Sequence, residues 1–127
     1  MDDAGVAKWL EDYVAAWRTY DVAAVGSLFS EDAVYRFHPW ADAEQEVRGR
    51  DAIVANWLEE PDAPERWSAE YSPWLVAGDS AVATGVTRYY AADGATVEEE
   101  FHNVFLLHFN PDGRCSAFTE LYMLRTS

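Results

Sequence analysis

Apolar residues at helical spacing open the chain. Val6, Trp9, Leu10, Tyr13 and Trp17 recur every three or four positions and predict an amphipathic helix over residues 3 to about 19. Its first turn is acidic, as the positive end of a helix dipole favours. Asp21 is placed to cap a second short helix carrying Val25, Leu28 and Phe29. Residues 33–37 read as a short strand ended by Pro39. Asp51 is placed to cap a third helix, with Ile53, Val54, Trp57 and Leu58 on one face and a stop before Pro61. The loop over residues 60–66 is rich in proline and acid.

The pattern then changes period. Residues 67–77, 80–91, 96–109 and 114–125 are long β-prone stretches. Gly78-Asp79, Ala92-Asp93-Gly94 and Asn110-Pro111-Asp112-Gly113 separate them with turn chemistry. Helices first and a four-strand meander afterwards define an α+β arrangement with an antiparallel sheet.

Several strands are apolar on both faces. In residues 96–109, Phe101, Asn103, Phe105, Leu107 and Phe109 share one face, and His102, Val104, Leu106 and His108 the other. A sheet covered by helices on one side shows polar residues on the other. The second apolar face therefore predicts a further layer, most simply a second copy of the chain in a homodimer.

Composition narrows the partners. The 127 residues make one domain, and the 50% hydrophobic and 15% aromatic content argues for a packed core despite a net charge of −14. No apolar run is long enough to span a membrane, and Met1-Asp2-Asp3 lacks the positive start of a secretory signal. Nucleic acid is not expected to bind so acidic a chain with no basic cluster. Cys115 is the single cysteine, which fits a cytoplasmic protein, and a small buried or edge thiol is the expected role. The basic residues are nearly all arginine, with Lys8 the only lysine, which points toward a GC-rich bacterial genome.

Five stretches carry a family resemblance: Tyr13-Val14-Ala15-Ala16-Trp17, Asp21-Val22-Ala23-Ala24-Val25, Leu28-Phe29-Ser30-Glu31-Asp32-Ala33-Val34-Tyr35, Gly49-Arg50-Asp51-Ala52-Ile53, and Phe105 to Phe109 with Asp112-Gly113-Arg114 and Phe118-Thr119-Glu120. In this order the chain resembles the SnoaL-like branch of the nuclear transport factor 2-like superfamily. The resemblance implies a cone-shaped curved sheet closed by three N-terminal helices around a pocket for a small hydrophobic molecule. Relatives include ketosteroid isomerases, limonene epoxide hydrolases and polyketide cyclases, beside proteins that only bind, so the fold does not choose a reaction.

Strand parity together with that alignment turns Tyr13, Trp17, Tyr35, Phe37, Val82, Thr84, Val86, Arg88, Phe101, Asn103, Phe105, Phe118, Glu120 and Tyr122 inward. Trp57 on the third helix joins them as a candidate binding residue, although tryptophans are more often core or rim. A carboxylate at Glu120 in so apolar a strand must be paired or protonated. Arg88 is its expected counter-ion, with Asn103 and a tyrosine hydroxyl completing the network. Held so, Glu120 has the chemistry of a general base; the same residues also make an ordinary buried ion pair between strands.

By the resemblance, Tyr13 aligns with the tyrosine that donates to the oxyanion in ketosteroid isomerases, and is equally a core-facing helix residue. The family's base falls at Phe37, or at His38 with a one-residue shift, and its second donor at Phe105. Of the epoxide hydrolase site, Tyr35 matches the tyrosine and Glu120 one acid. Phe37, Val86 and Arg88 occupy the positions of its asparagine, arginine and second acid. His38 is the histidine best placed for proton transfer, or else one that orders the loop with Pro39 and Trp40. The three scattered histidines have no metal-ligand spacing, and no glycine-rich phosphate loop is present, so neither metal nor cofactor is expected. Two functions remain: cofactor-free acid/base catalysis (isomerisation, cyclisation, dehydration or hydration), or non-catalytic binding or interaction on the same fold.

Overall fold

The structure, a computed structural model, describes residues 1–126. Helix α1 spans Asp3–Thr19, with Asp2 capping it through a bond from the Gly5 amide. Helix α2 covers Val22–Ser27 and is capped by Asp21, whose carboxylate accepts from the Ala23 amide. The first start has the expected acidic turn at Asp3, and the second follows the expected cap chemistry. Helix α3, Arg50–Glu59, does not. Asp51 lies inside its first turn, and the cap position is Gly49 at φ 91°, with no side-chain bond. The Gly49 amide is still tied to the Ala33 carbonyl at 2.8 Å, so the chain must reverse there, and glycine alone takes that φ cheaply.

Six strands form one curved sheet: β1 Phe29–Arg36, β2 Val47–Arg48, β3 Trp67–Ala77, β4 Ser80–Tyr90, β5 Val97–Phe109 and β6 Cys115–Leu124, in the order β2-β1-β6-β5-β4-β3. The four-strand meander falls where the pattern put it. The first strand is longer than residues 33–37, and β2 has too few residues to leave a pattern. One pairing departs from the antiparallel expectation: β1 runs parallel to β6, with Tyr35 opposite Phe118. No helix among the described residues is long and apolar enough to cross a membrane.

The core lies between the helices and one face of the sheet. Val6, Trp9, Leu10, Tyr13 and Ala16 of α1 meet Phe29, Tyr35, Phe105, Phe109 and Phe118. Trp9 holds α1 in place, donating its indole N–H to the Leu28 carbonyl at 3.0 Å and packing edge-on to Phe29 and Phe109. Cys115 is buried here, donating to the Ala117 carbonyl at 3.1 Å, and burial pushes its thiol up to about 12. It is therefore expected to resist a disulfide reagent in native buffer and to react once guanidinium unfolds the chain; rapid native labelling would contradict this placement.

Candidate functional site

In strand β4 the inward positions are Ala81, Ala83, Gly85, Thr87 and Tyr89, one residue out of step with the expected Val82, Thr84, Val86 and Arg88. The reason is size. The rings of Tyr71 and Phe105 lie over this strand, and a Cβ at Gly85 would stand 2.3 Å from a Tyr71 ring carbon. Small residues therefore face the helices, and the β-branched valines face out. This inversion hollows the concave face into a cavity of about 350 Å³.

Arg88 accordingly points away from the cavity. Its Nε donates to Glu100 Oε1 at 2.9 Å, and Glu100 also receives His102 Nε2 at 3.0 Å and Arg125 Nη1 at 3.1 Å. His102, Arg125 and Arg88 together hold the Glu100 carboxyl at about 2. The expected Arg88–Glu120 pair is not formed.

Glu120 does enter the cavity, and without a counter-ion among the described residues. Asn103 Nδ2 donates to it over a long 3.4 Å. Burial raises its carboxyl to about 7, against a smaller lowering by the Asn103 bond. A relay fixes that amide. Thr87 Oγ1 donates to Asn103 Oδ1 at 2.9 Å, so the Tyr71 hydroxyl at 2.5 Å must donate to Thr87, and Asn103 can only present its NH₂ to Glu120. Strand register builds the relay. Tyr71, Gly85, Asn103 and Tyr122 lie on one rung across β3 to β6, with Thr87 and Glu120 on the same face two rungs to either side.

Across the cavity, the hydroxyls of Tyr13 and Tyr35 meet at 3.2 Å. Burial is the main cause that raises both phenols well above their usual range, and the Glu120 charge adds to it. Both stay protonated near neutrality and so can donate hydrogen bonds.

Trp17, Phe37, Trp57, Phe101 and Tyr122 complete the expected part of the wall. Trp17 stacks on Trp67 at 3.6 Å and donates its indole N–H to Asp62. Phe105 is not at the wall; it lies beneath, against Tyr71 and Phe118. His38 also stands outside, its ring stacked on Trp40 at 4.6 Å, which is the loop-ordering arrangement. Sequence reasoning missed Tyr20, Asn56, Glu60, Asp62, Tyr71, Thr87 and Tyr89. The β4 members were recoverable from the run of small residues at Ala81, Ala83 and Gly85. Asp62 and Glu60, in a loop without periodicity, left no signal.

The sequence profile of the SnoaL-like domain matches residues 10–118. No curated protein matches the chain. Among solved structures, a candidate ketosteroid isomerase of Kribbella flavida is 18% identical, with a TM-score of 0.71 over 99% of this chain and 83% of that one. An NTF-2-like protein of unknown function from Burkholderia xenovorans is 14% identical, TM-score 0.70, covering 98% and 87%. An LEH-like epoxide hydrolase of Mycobacterium tuberculosis is 13% identical, TM-score 0.66, covering 95% and 84%. At these identities the likeness is one of fold.

Proposed function

Because the chain belongs to the SnoaL-like domain family, we propose that its cavity takes a small, largely hydrophobic molecule and that Glu120 moves a proton on it without a cofactor. One observation carries this reading: a carboxylate inside an aromatic cavity, held by a single amide and matched by no cation among the described residues. A structural ion pair would have its partner; a proton carrier near neutrality needs the opposite. The carboxylate accepts a proton from a substrate carbon, and the resulting acid returns it elsewhere on the same molecule. The Tyr13–Tyr35 pair is placed to donate to the oxygen that gains charge between the two transfers. Asn103 is the positioning residue, aimed by Thr87 and Tyr71.

Deuterium uptake from D₂O into a panel of small hydrophobic carbonyl compounds tests it. Wild type should exchange α-protons and Glu120→Gln should not, while both retain ligand quenching of Trp17 and Trp57 fluorescence. Equal exchange by the two proteins would remove Glu120 from the chemistry; quenching without exchange by either would leave a binding protein.

The reading includes a homodimer through the convex face. There Val82, Leu106 and Thr119 form one rung, and Thr84, Val104 and Leu121 the next, with Leu106 and Met123 exposed. None of these is acidic, so two copies can meet there despite a charge of −14 each. Light scattering is expected to give about twice 14.3 kDa, and Leu106→Glu to reduce it to the monomer mass. A wild-type monomer at micromolar concentration would contradict the assembly.

A further inference from the structure

We propose that the ligand of this cavity is an organic cation, a hydrophobic amine or quaternary ammonium, with its positive head at the rim beside Asp62 and Glu60. The inference rests on the cavity being a ligand site and goes on to assign the ligand's charge. Of the sixteen residues lining the cavity, ten are aromatic, three are carboxylic acids and none is lysine, arginine or histidine. Aromatic faces attract cations and repel anions, and carboxylates do the same with full charge.

The two kinds of group meet at the rim. Asp62 Oδ2 accepts from the Trp17 indole at 3.2 Å and from the Tyr20 phenol at 3.5 Å. Both donors are neutral, so they aim the carboxylate without cancelling its charge. Tyr20 reaches this place at some strain, since its backbone sits at φ 52°, where a bulky residue is rare. The Asp62 amide donates to the same phenol at 2.8 Å, which fixes the loop and the ring together. The Arg18 guanidinium, beside Trp17 in sequence, is turned onto Trp67 at 4.1 Å and onto the Pro64 carbonyl, and does not line the cavity.

An anionic ligand would find little here. Of the tyrosine hydroxyls that might bind it, Tyr71 is spent on Thr87 and Tyr20 on Asp62, and the Tyr13–Tyr35 pair keeps a single O–H to offer. Deep in the cavity Glu120 adds a third acid, which a carboxylate or phosphate ligand would have to approach.

Three probes of one size separate the possibilities: benzyltrimethylammonium, its uncharged carbon isostere neopentylbenzene, and phenylacetate. Each is titrated against the full chain while tryptophan fluorescence is followed. The ammonium is expected to bind at least about tenfold tighter than the isostere, and phenylacetate weakest of the three. The double variant Glu60→Gln/Asp62→Asn should bring the cation-to-isostere ratio to within about threefold, whereas Asp62→Glu, which keeps the charge, should retain it. Equal or tighter binding of the isostere or of phenylacetate overturns the inference while leaving the ligand site standing. So does a ratio that the double variant leaves unchanged while circular dichroism shows it folded. Quenching by none of the three removes both readings.

Discussion

Glu120→Gln is expected to raise the melting temperature at about pH 8.5, by up to about 10 °C, and to leave it unchanged near pH 4. Its carboxyl moves from an ordinary 4.5 to about 7 on folding, because burial penalises the charged form. The sign follows from which form each state prefers. Below about pH 4.5 the group is protonated folded and unfolded, and contributes nothing to the difference between glutamate and glutamine. As pH rises through 7 the native protein must ionise a buried group that the unfolded chain ionises freely, and stability is lost. The displacement from 4.5 to about 7 corresponds to about 3 kcal/mol above pH 8. The groups facing the carboxylate (Tyr13, Tyr35, Tyr71 and Asn103) stay neutral across this window, so the profile belongs to Glu120. In the proposed reaction the same change should cost about 10²- to 10⁴-fold in turnover, the usual weight of a general base. Wild-type turnover should rise with pH around 7. Stability gained and activity lost by one substitution is the mark of a residue kept for chemistry. A glutamine variant no more stable than wild type at alkaline pH would show that the carboxylate is better solvated than its position implies.

Gly85→Ala should lower stability by about 3 kcal/mol, a fall of about 10 °C in melting temperature. A Cβ there would sit 2.1 Å from the Glu70 carbonyl oxygen and 2.8 Å from the Tyr71 Cα, both backbone atoms of the paired strand. Backbone cannot swing aside as a side chain would, so β3 must separate from β4 or Tyr71 must move. The second route reaches the site. If Tyr71 leaves Thr87, the donor that orients the Thr87 hydroxyl is lost, Thr87 no longer fixes the Asn103 amide, and Glu120 loses its oriented partner. Thermal unfolding by circular dichroism measures the first effect and ligand quenching the second. A loss under about 1 kcal/mol would mean that the two strands are looser than their register suggests.

How much of this was readable follows from the range of the forces involved. Helices α1 and α2, the Asp21 cap and the strand turns depend on neighbours within a few residues, and the pattern of side chains reports them directly. Asp51 was taken for the cap of α3 because the role of Gly49 depends on Ala33, sixteen positions earlier, which no local pattern contains. The parity of β4 failed for a subtler reason. Strand parity and a loose family alignment set the inside, yet both faces of this strand are apolar, and only the volume of Tyr71 and Phe105 on neighbouring strands decides which face must be small. The error moved Arg88 inward and gave Glu120 a counter-ion that belongs to Glu100. Glu120 itself was found because a lone acid among apolar residues is conspicuous on any parity. Its actual partner, Asn103, was among the inward residues, but the donors behind it, Thr87 and Tyr71, emerge only from the rungs of the completed sheet.

The parallel pairing of β1 with β6 has a kinetic meaning. Strand β1 is made early, yet its neighbour in the sheet is the last strand of the meander, more than eighty residues later. On the ribosome, β1 and the helices packed on it wait with their greasy sides unsatisfied until Phe118 arrives. Contacts so distant along the chain slow the search for the native state. The domain should therefore close only once β6 has emerged from the ribosome. Because Glu120 travels on that final strand, a nascent chain has no site at all until the sheet locks shut.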